Sequence, residues 1–166
     1  WSMHLRRHLR RYRYRKLDFT HKRISRRYGS SPGIRLRQQA HLGVVLDTSA
    51  SMSTDMLLRF YEELRLVHRL RHRILLLEAD TAVRRVQYFD PHQQVRAFPG
   101  RGNTAYDSAI RYLVQRRVDL IIYLTDGLGP APRSVATAIL WVVQAAVQQE
   151  EAIRQKMADW PGSCIF

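Results

Sequence analysis

Cysteine is nearly missing from this chain, with Cys164 alone among 166 residues. A single thiol excludes an internal disulfide and a zinc site built on cysteines. Its place third from the end also excludes the four-residue prenylation box. Long apolar runs are missing too. No stretch approaches the ~18–20 apolar residues that a membrane-spanning helix needs. The basic N-terminus carries no apolar h-region of a secretory signal. A soluble protein in a reducing, cytoplasmic setting is the expectation, with no membrane partner. The chain opens on Trp1 rather than Met, which suggests a processed product or the C-terminal piece of a longer protein.

Common catalytic signatures are absent as well. His68 and His72 stand four apart, but His68-Arg69-Leu70-Arg71-His72 lacks the glutamate that zinc peptidases use as a base. Arginines around the pair disfavour a cation, so a solvated helix face is expected there. Gly100-Arg101-Gly102-Asn103-Thr104 is glycine-rich but has neither the lysine nor the spacing of a P-loop. No Ser/His/Asp triad order appears, and Ser49 is not in a Gly-x-Ser-x-Gly frame.

Acidic residues are scarce in one region only. Residues 1–40 hold 13 of the 28 Lys and Arg against one acid, Asp18, a net charge of +12. The rest of the chain carries +2 of the total +14. The first segment interleaves its arginines with Tyr12, Tyr14, Phe19 and Tyr28. Leu5, Leu9 and Tyr12 fall at helical spacing, which predicts a short basic helix. The cluster Gly29-Ser30-Ser31-Pro32-Gly33 reads as a linker. Three roles stand open for residues 1–40. They are phosphate and base contacts with a nucleic acid, docking on an acidic protein partner, or arginines that merely solvate a packed helix.

From residue 41 the pattern turns regular, and residues 41–166 read as one domain. Leu42–Leu46, Ile74–Leu77, Leu120–Leu124 and Ala138–Val143 are short continuous apolar runs, as in parallel strands covered on both faces. Val83–Phe89 reads as an edge strand, and Ser163–Phe166 as a last short one. Residues 55–70 place Leu57, Phe60, Tyr61, Leu64 and Val67 on one helical face, capped by Ser53 or Thr54. Residues 104–117 form the clearest helix, with Thr104 and Asp107 spaced as a capping box. Ile153, Met157 and Trp160 suit one more helix. Alternating buried strands and amphipathic helices predict an α/β, doubly wound, mostly parallel Rossmann-like sheet.

Two aspartates follow buried strands directly, Asp47 after the first and Asp126 after the third. Open α/β sheets bind ligands outside the carboxyl ends of their strands, at the switch point. If these strands are neighbours, both carboxylates face one crevice. Asp47-Thr48-Ser49-Ala50-Ser51 can converge alternate oxygens on one point, and Thr104 offers a further hydroxyl. Hard cations such as Mg²⁺, Mn²⁺ or Ca²⁺ suit such an oxygen set. The bland alternative is that these are turn residues and helix caps. For Asp80, a structural turn is the favoured role over a place beside the site.

Asp47-Thr48-Ser49-Ala50-Ser51, Gly102-Asn103-Thr104 and Thr125-Asp126-Gly127 together resemble the metal-ion-dependent adhesion site of von Willebrand A (VWA) domains. The resemblance implies that Ser49 and Ser51 bind the ion directly and that Thr104 is the loop threonine. It implies that Asp47 and Asp126 hold the ion directly or through water. A narrower resemblance rests on Trp1, Leu5, the Ile24-Ser25-Arg26-Arg27 run, the Asp80 segment, Thr125-Asp126-Gly127 and Leu140-Trp141-Val142. These resemble the VWA-like C-terminal domain of bacterial predicted metal-dependent peptidases, whose relatives commonly work with MoxR-type AAA+ ATPases. Where that family usually has Gly-Gly-Thr-Asp, this chain has Gly102-Asn103-Thr104-Ala105, and residues 144–159 have no clear counterpart.

The expectation is therefore a non-enzymatic, metal-dependent interaction module. Its ion would complete its shell with an Asp or Glu of a partner, by resemblance an AAA+ ATPase or its substrate. The competing readings are a metallopeptidase whose catalytic region lies upstream, and a nucleic-acid-binding subunit led by residues 1–40.

Overall fold

The computed structural model describes residues 2–11, 16–22, 24, 29, 33–37, 40–69, 72–93, 98, 102–133 and 135–166. Trp1, Tyr12, Tyr14, Tyr28, Arg26, Arg27 and the linker residues Ser30 to Pro32 lie outside them.

The elements run α1 (Ser2–Arg11), β1 (Lys16–Thr20), β2 (Gly33–Arg37), β3 (His41–Asp47), α2 (Thr54–His68), β4 (Arg73–Ala79) and β5 (Val83–Tyr88). Then come α3 (Tyr106–Gln115), β6 (Leu120–Thr125), β7 (Ile139–Val143), α4 (Glu150–Lys156) and β8 (Ser163–Ile165). The main sheet has the order β5-β4-β3-β6-β7-β8. All its pairings are parallel except that of β5 with β4. This is the expected α/β fold, with the edge strand where the sequence put it. Arg84 and Arg85 on β5 are exposed, and charges of this kind discourage pairing with a further strand.

The two-residue period of the strands divides the core. Leu42, Val44 and Leu46 of β3 join one buried cluster with α2, while Val45 joins the other with α3 and α4. The crossover from β3 to β4 thus runs over one face, and the crossover into β6 over the opposite face. Because β3 lies between β4 and β6, the connections diverge at the carboxyl ends of β3 and β6. That divergence is the switch point.

The basic helix forms as expected, and its apolar side has a definite destination. Leu5 and Leu9 are each 1% exposed and belong to the same core cluster as α2. Burial of a leucine contributes roughly 1.5–3 kcal/mol, so α1 is a working cover of that face. The expected linker is shorter than read, because Gly33 already opens β2, which pairs antiparallel with β1.

Three local expectations are corrected. Ala105, not Thr104, occupies the N-cap of α3, and it makes no side-chain capping bond. The Thr104–Asp107 capping box does not form, since Asp107 Oδ1 accepts the backbone N–H of Arg133 at 3.1 Å. His72 is not on a solvated helix face: α2 ends at His68, and His72 is buried with Nδ1 accepting the Ala40 N–H at 3.3 Å. Ser53 caps α2 as expected, accepting the Met56 N–H.

The connection from β6 to β7 is a Gly/Pro loop. Parallel strands usually return through a helix, and among the described residues of this crossover there is none. Large aromatics fill the adjoining space on that face. Trp141 packs on Tyr106, Tyr123 and Trp160, with ring centroids 5.3, 5.1 and 5.0 Å away. Trp141 Nε1 donates to the carbonyl of Pro161 at 2.8 Å, so the buried indole nitrogen is satisfied.

Candidate metal centre

The register Leu46↔Leu124 between β3 and β6 brings Asp47 beside Thr125 at the carboxyl edge. Thr125 Oγ1 donates to Asp47 Oδ2 at 2.6 Å, and the Ser49 N–H donates to Asp47 Oδ1 at 3.0 Å. Both oxygens of Asp47 are thus engaged in fixing its orientation. Ser49 Oγ lies 3.1 Å from Ser51 Oγ, so the two serine hydroxyls converge as the alternate spacing required. Ser49 is buried and Ser51 exposed, which sets a gradient from the sheet edge toward solvent.

Asp126 is buried beside them. Its Oδ1 accepts the Leu128 N–H at 3.0 Å, while its Oδ2 is buried with no hydrogen-bond partner among the described residues. A buried carboxylate oxygen without a donor is costly. A cavity of about 360 Å³ opens next to Ser51 and Asp126, walled by Met56, Leu128, Gln144 and Ala145. The orphaned oxygen and the convergent hydroxyls suit a hard divalent cation. Among the described residues, no three His, Cys, Asp or Glu side chains gather into a site, so an ion held here would take its other oxygens from hydroxyls, backbone carbonyls or water. Burial pushes the Asp47 carboxyl above the usual carboxylate range. The bonds from Thr125 and Ser49 oppose that rise, and the charge of Asp126 adds to it. A cation between the two carboxylates would relieve both burial and repulsion.

Thr104 belongs to a loop that is fastened to the crevice through Gly102. Gly102 O accepts the Ala50 N–H at 3.2 Å, which ties this loop to the Asp47–Ser51 loop. No hydrogen bond joins the Thr104 side chain to the other four candidate ligands. The structure therefore links Asp47, Ser49 and Ser51 by bonds and Ser51 with Asp126 by a shared cavity, while the Thr104 loop is tied to them only through the backbone of Gly102.

Two further residues organise the site. Asp80, expected mainly as a turn residue, fastens the Thr104 loop. Its Oδ2 accepts the Gly102 N–H at 3.3 Å and its carbonyl accepts the Ala105 N–H at 3.1 Å. Arg84 donates to both carboxylate oxygens of Asp80, at 2.8 and 3.0 Å. Burial works to raise the Asp80 carboxyl, but the bonds from Arg84, Ala82 and Gly102 outweigh it and hold it down to about 2. A carboxyl depressed on folding stabilises above its unfolded pKa and loses that contribution as pH falls through the folded value. Urea midpoints of wild type should therefore drop between about pH 4 and 2, and Asp80→Asn should flatten that limb. Equal acid limbs in the two proteins would remove Asp80 as their source.

The other residue is Tyr106, which the sequence offered only as an apolar helix position. Its hydroxyl lies 3.1 Å from Thr125 Oγ1 and accepts the Gly129 N–H at 3.1 Å. Burial pushes this phenol well above the ordinary tyrosine range. Helical periodicity cannot separate such a tyrosine from a packing residue. Its place two residues after Thr104 was the only signal.

A family model described as VWA-like domain (DUF2201) matches residues 42–155. The chain belongs to this VWA-like family. No curated protein matches it. All five candidate ligands of the VWA-like domain lie inside the matched span, which runs from β3 into α4. The match also takes in residues 144–155, which the narrower resemblance had left without a counterpart.

One glycine of the VWA-like domain is fixed by this geometry. Gly127 has φ +79°, and a Cβ there would come within 2.6 Å of Ile153 Cγ2 on α4. Gly127→Ala should cost about 2 kcal/mol or more, combining left-handed strain with overpacking. Chemical denaturation would measure it, and a change under about 0.5 kcal/mol would contradict the stated contact.

Proposed function

We propose that this VWA-like domain is a metal-dependent protein-interaction module. Asp47, Ser49, Ser51, Thr104 and Asp126 would hold one divalent ion, Mg²⁺ or alternatively Mn²⁺ or Ca²⁺. The observation that carries the reading is Asp126 Oδ2, a buried carboxylate oxygen with no donor, beside an open cavity. When bound, the ion supplies positive charge and a free coordination position for an Asp or Glu of a partner. The chain's own residues do the positioning. Thr125 and the Ser49 backbone hold Asp47 in one orientation, and Ser51, its hydroxyl paired with that of Ser49, lines the cavity.

The role is docking rather than hydrolysis, with the domain acting as an adaptor in a larger assembly. Following the narrower resemblance, the proposed partner is a MoxR-type AAA+ ATPase or its substrate. Among the described residues, no helix is long and apolar enough to cross a membrane, and the proposed setting is the cytoplasm. The test is recovery of partners by wild type and by Asp47→Ala, each with Mg²⁺ or EDTA, after circular dichroism confirms that the variant is folded. Partners held only by wild type with Mg²⁺ are expected. The same set recovered under all four conditions would end the metal-bridge reading.

A further inference from the structure

The hydrogen-bond chain behind the candidate ligands has only one self-consistent direction. The Asp47 carboxylate can only accept, so the single proton of the Thr125 hydroxyl is spent on Oδ2 across 2.6 Å. Thr125 Oγ1 is then left to accept. It takes the Gly127 N–H at 3.2 Å and, because its own proton is used, the Tyr106 hydroxyl proton across 3.1 Å. Tyr106 in turn accepts the Gly129 N–H. The order is Gly129 N–H to Tyr106, Tyr106 O–H to Thr125, and Thr125 O–H to Asp47. Tyr106 is also the first residue of α3, two positions after Thr104. One hydroxyl thus meets all three parts of the site, namely the Asp47 loop through Thr125, the loop after Asp126 through Gly129, and the Thr104 loop through the chain.

We propose that Tyr106 is a positioning residue of the metal centre, whose hydroxyl locks the Asp47 and Asp126 loops to the first turn of α3. It does not touch the ion. It sets how far the ligands must move to receive one. Removing the hydroxyl leaves the Gly129 N–H without its acceptor and Thr125 Oγ1 short of a donor, so both loops lose a fixed point. The ring itself is held separately, by edge contacts to Tyr123, Trp141 and Trp160 at 5.0 to 5.3 Å. Tyr106→Phe therefore isolates the hydroxyl from the packing. Tyr123 supplies a matched control in the same aromatic cluster, because its hydroxyl is buried with no partner among the described residues.

This inference rests on the metal reading, and one experiment separates their failures. Mn²⁺ binding to the full chain is followed by calorimetry and by electron paramagnetic resonance for wild type, Tyr106→Phe, Tyr123→Phe and Thr125→Val. The double variant Tyr106→Phe with Thr125→Val completes the set. Tyr106→Phe should weaken Mn²⁺ roughly 10-fold, the low end of the range for losing an outer hydrogen-bond partner of a metal ligand, because Tyr106 acts on Asp47 through Thr125. Tyr123→Phe should bind as wild type does. In the Thr125→Val background the Tyr106 substitution should add little, since its route to Asp47 is already cut. Should Thr125→Val fail to fold, the comparison of the two phenylalanine variants decides alone. Wild-type affinity in Tyr106→Phe, or equal losses in the two phenylalanine variants, would overturn the positioning role and leave the metal site standing. No saturable Mn²⁺ binding by wild type would overturn both.

Discussion

Asp126→Asn should abolish ion-induced stabilisation while leaving the ion-free protein at least as stable as wild type. The two halves of this expectation have one source. Asp126 Oδ2 is buried without a partner, and Asp126 adds repulsion to the buried Asp47. Asparagine keeps Oδ1, which accepts the Leu128 N–H at 3.0 Å, and removes the charge. The ion-free fold therefore keeps the Leu128 bond and exchanges a buried anionic oxygen for a neutral amide nitrogen at the border of a cavity, which costs less than a buried charge. With an ion present the balance reverses. A ligand at about 100 times its Kd stabilises the state it binds by about 2.7 kcal/mol. For a chain of this size that corresponds to roughly 5–10 °C in Tm. Thermal melts with EDTA and with saturating Mg²⁺ should show that gain in wild type and none in Asp126→Asn. An intact ion-dependent gain in the variant would remove Asp126 from the ligand set. A large loss of stability in EDTA would show instead that the carboxylate serves the fold.

Trp141→Ala should be the most destabilising single truncation, at about 3–5 kcal/mol, the range for removing a buried large aromatic. Trp141 is 0% exposed and sits mid-strand on β7. Its ring stacks on Tyr123 of the neighbouring strand and meets Tyr106 and Trp160 edge-on. These aromatics share one core cluster with residues of α3 and α4, and the three rings around Trp141 would be left facing a void that the surrounding structure closes only in part. The Pro161 carbonyl also loses its indole donor. Trp141→Phe should cost less, because the ring remains and only the N–H and part of the volume go. Urea denaturation of the three proteins measures the order. A loss below about 1 kcal/mol for the alanine variant, the size of an average substitution, would show that the face can close without Trp141. Because Tyr106 leans on Trp141, the alanine variant should also bind metal more weakly, which links this core to the site.

Legibility in the sequence followed the strength of the local physical signal. Val44, Val45 and Leu46 announced a strand covered on both faces, and the division of its side chains between two core clusters bears that out. The face of α2 from Leu57 to Val67 was readable because a 3.6-residue period is visible in any helix with one buried side. The capping box at Thr104 misled because three-residue spacing is shared by many turns. Here Gly102 and Ala105 are bonded to Asp80, and α3 starts one residue later than a Thr104 cap requires. The β1–β2 pair was missed since Gly33 reads equally as linker and as strand start. His72 was assigned to solvent because its burial depends on Ala40, which lies 32 residues away.

By itself the sequence determined the fold class and four of the residues that meet at the carboxyl edge. Apolar runs ending in aspartate carry strand, burial and position in one local pattern. Only the tertiary structure decided that β3 and β6 are neighbours, that Asp126 keeps one oxygen unpartnered, and that Tyr106 and Asp80 fasten the loops around them. Those facts depend on which strands pair and where hydroxyl protons go. They are set by contacts between residues far apart in the chain, such as Asp47 and Thr125, 78 positions apart. No local period records such contacts.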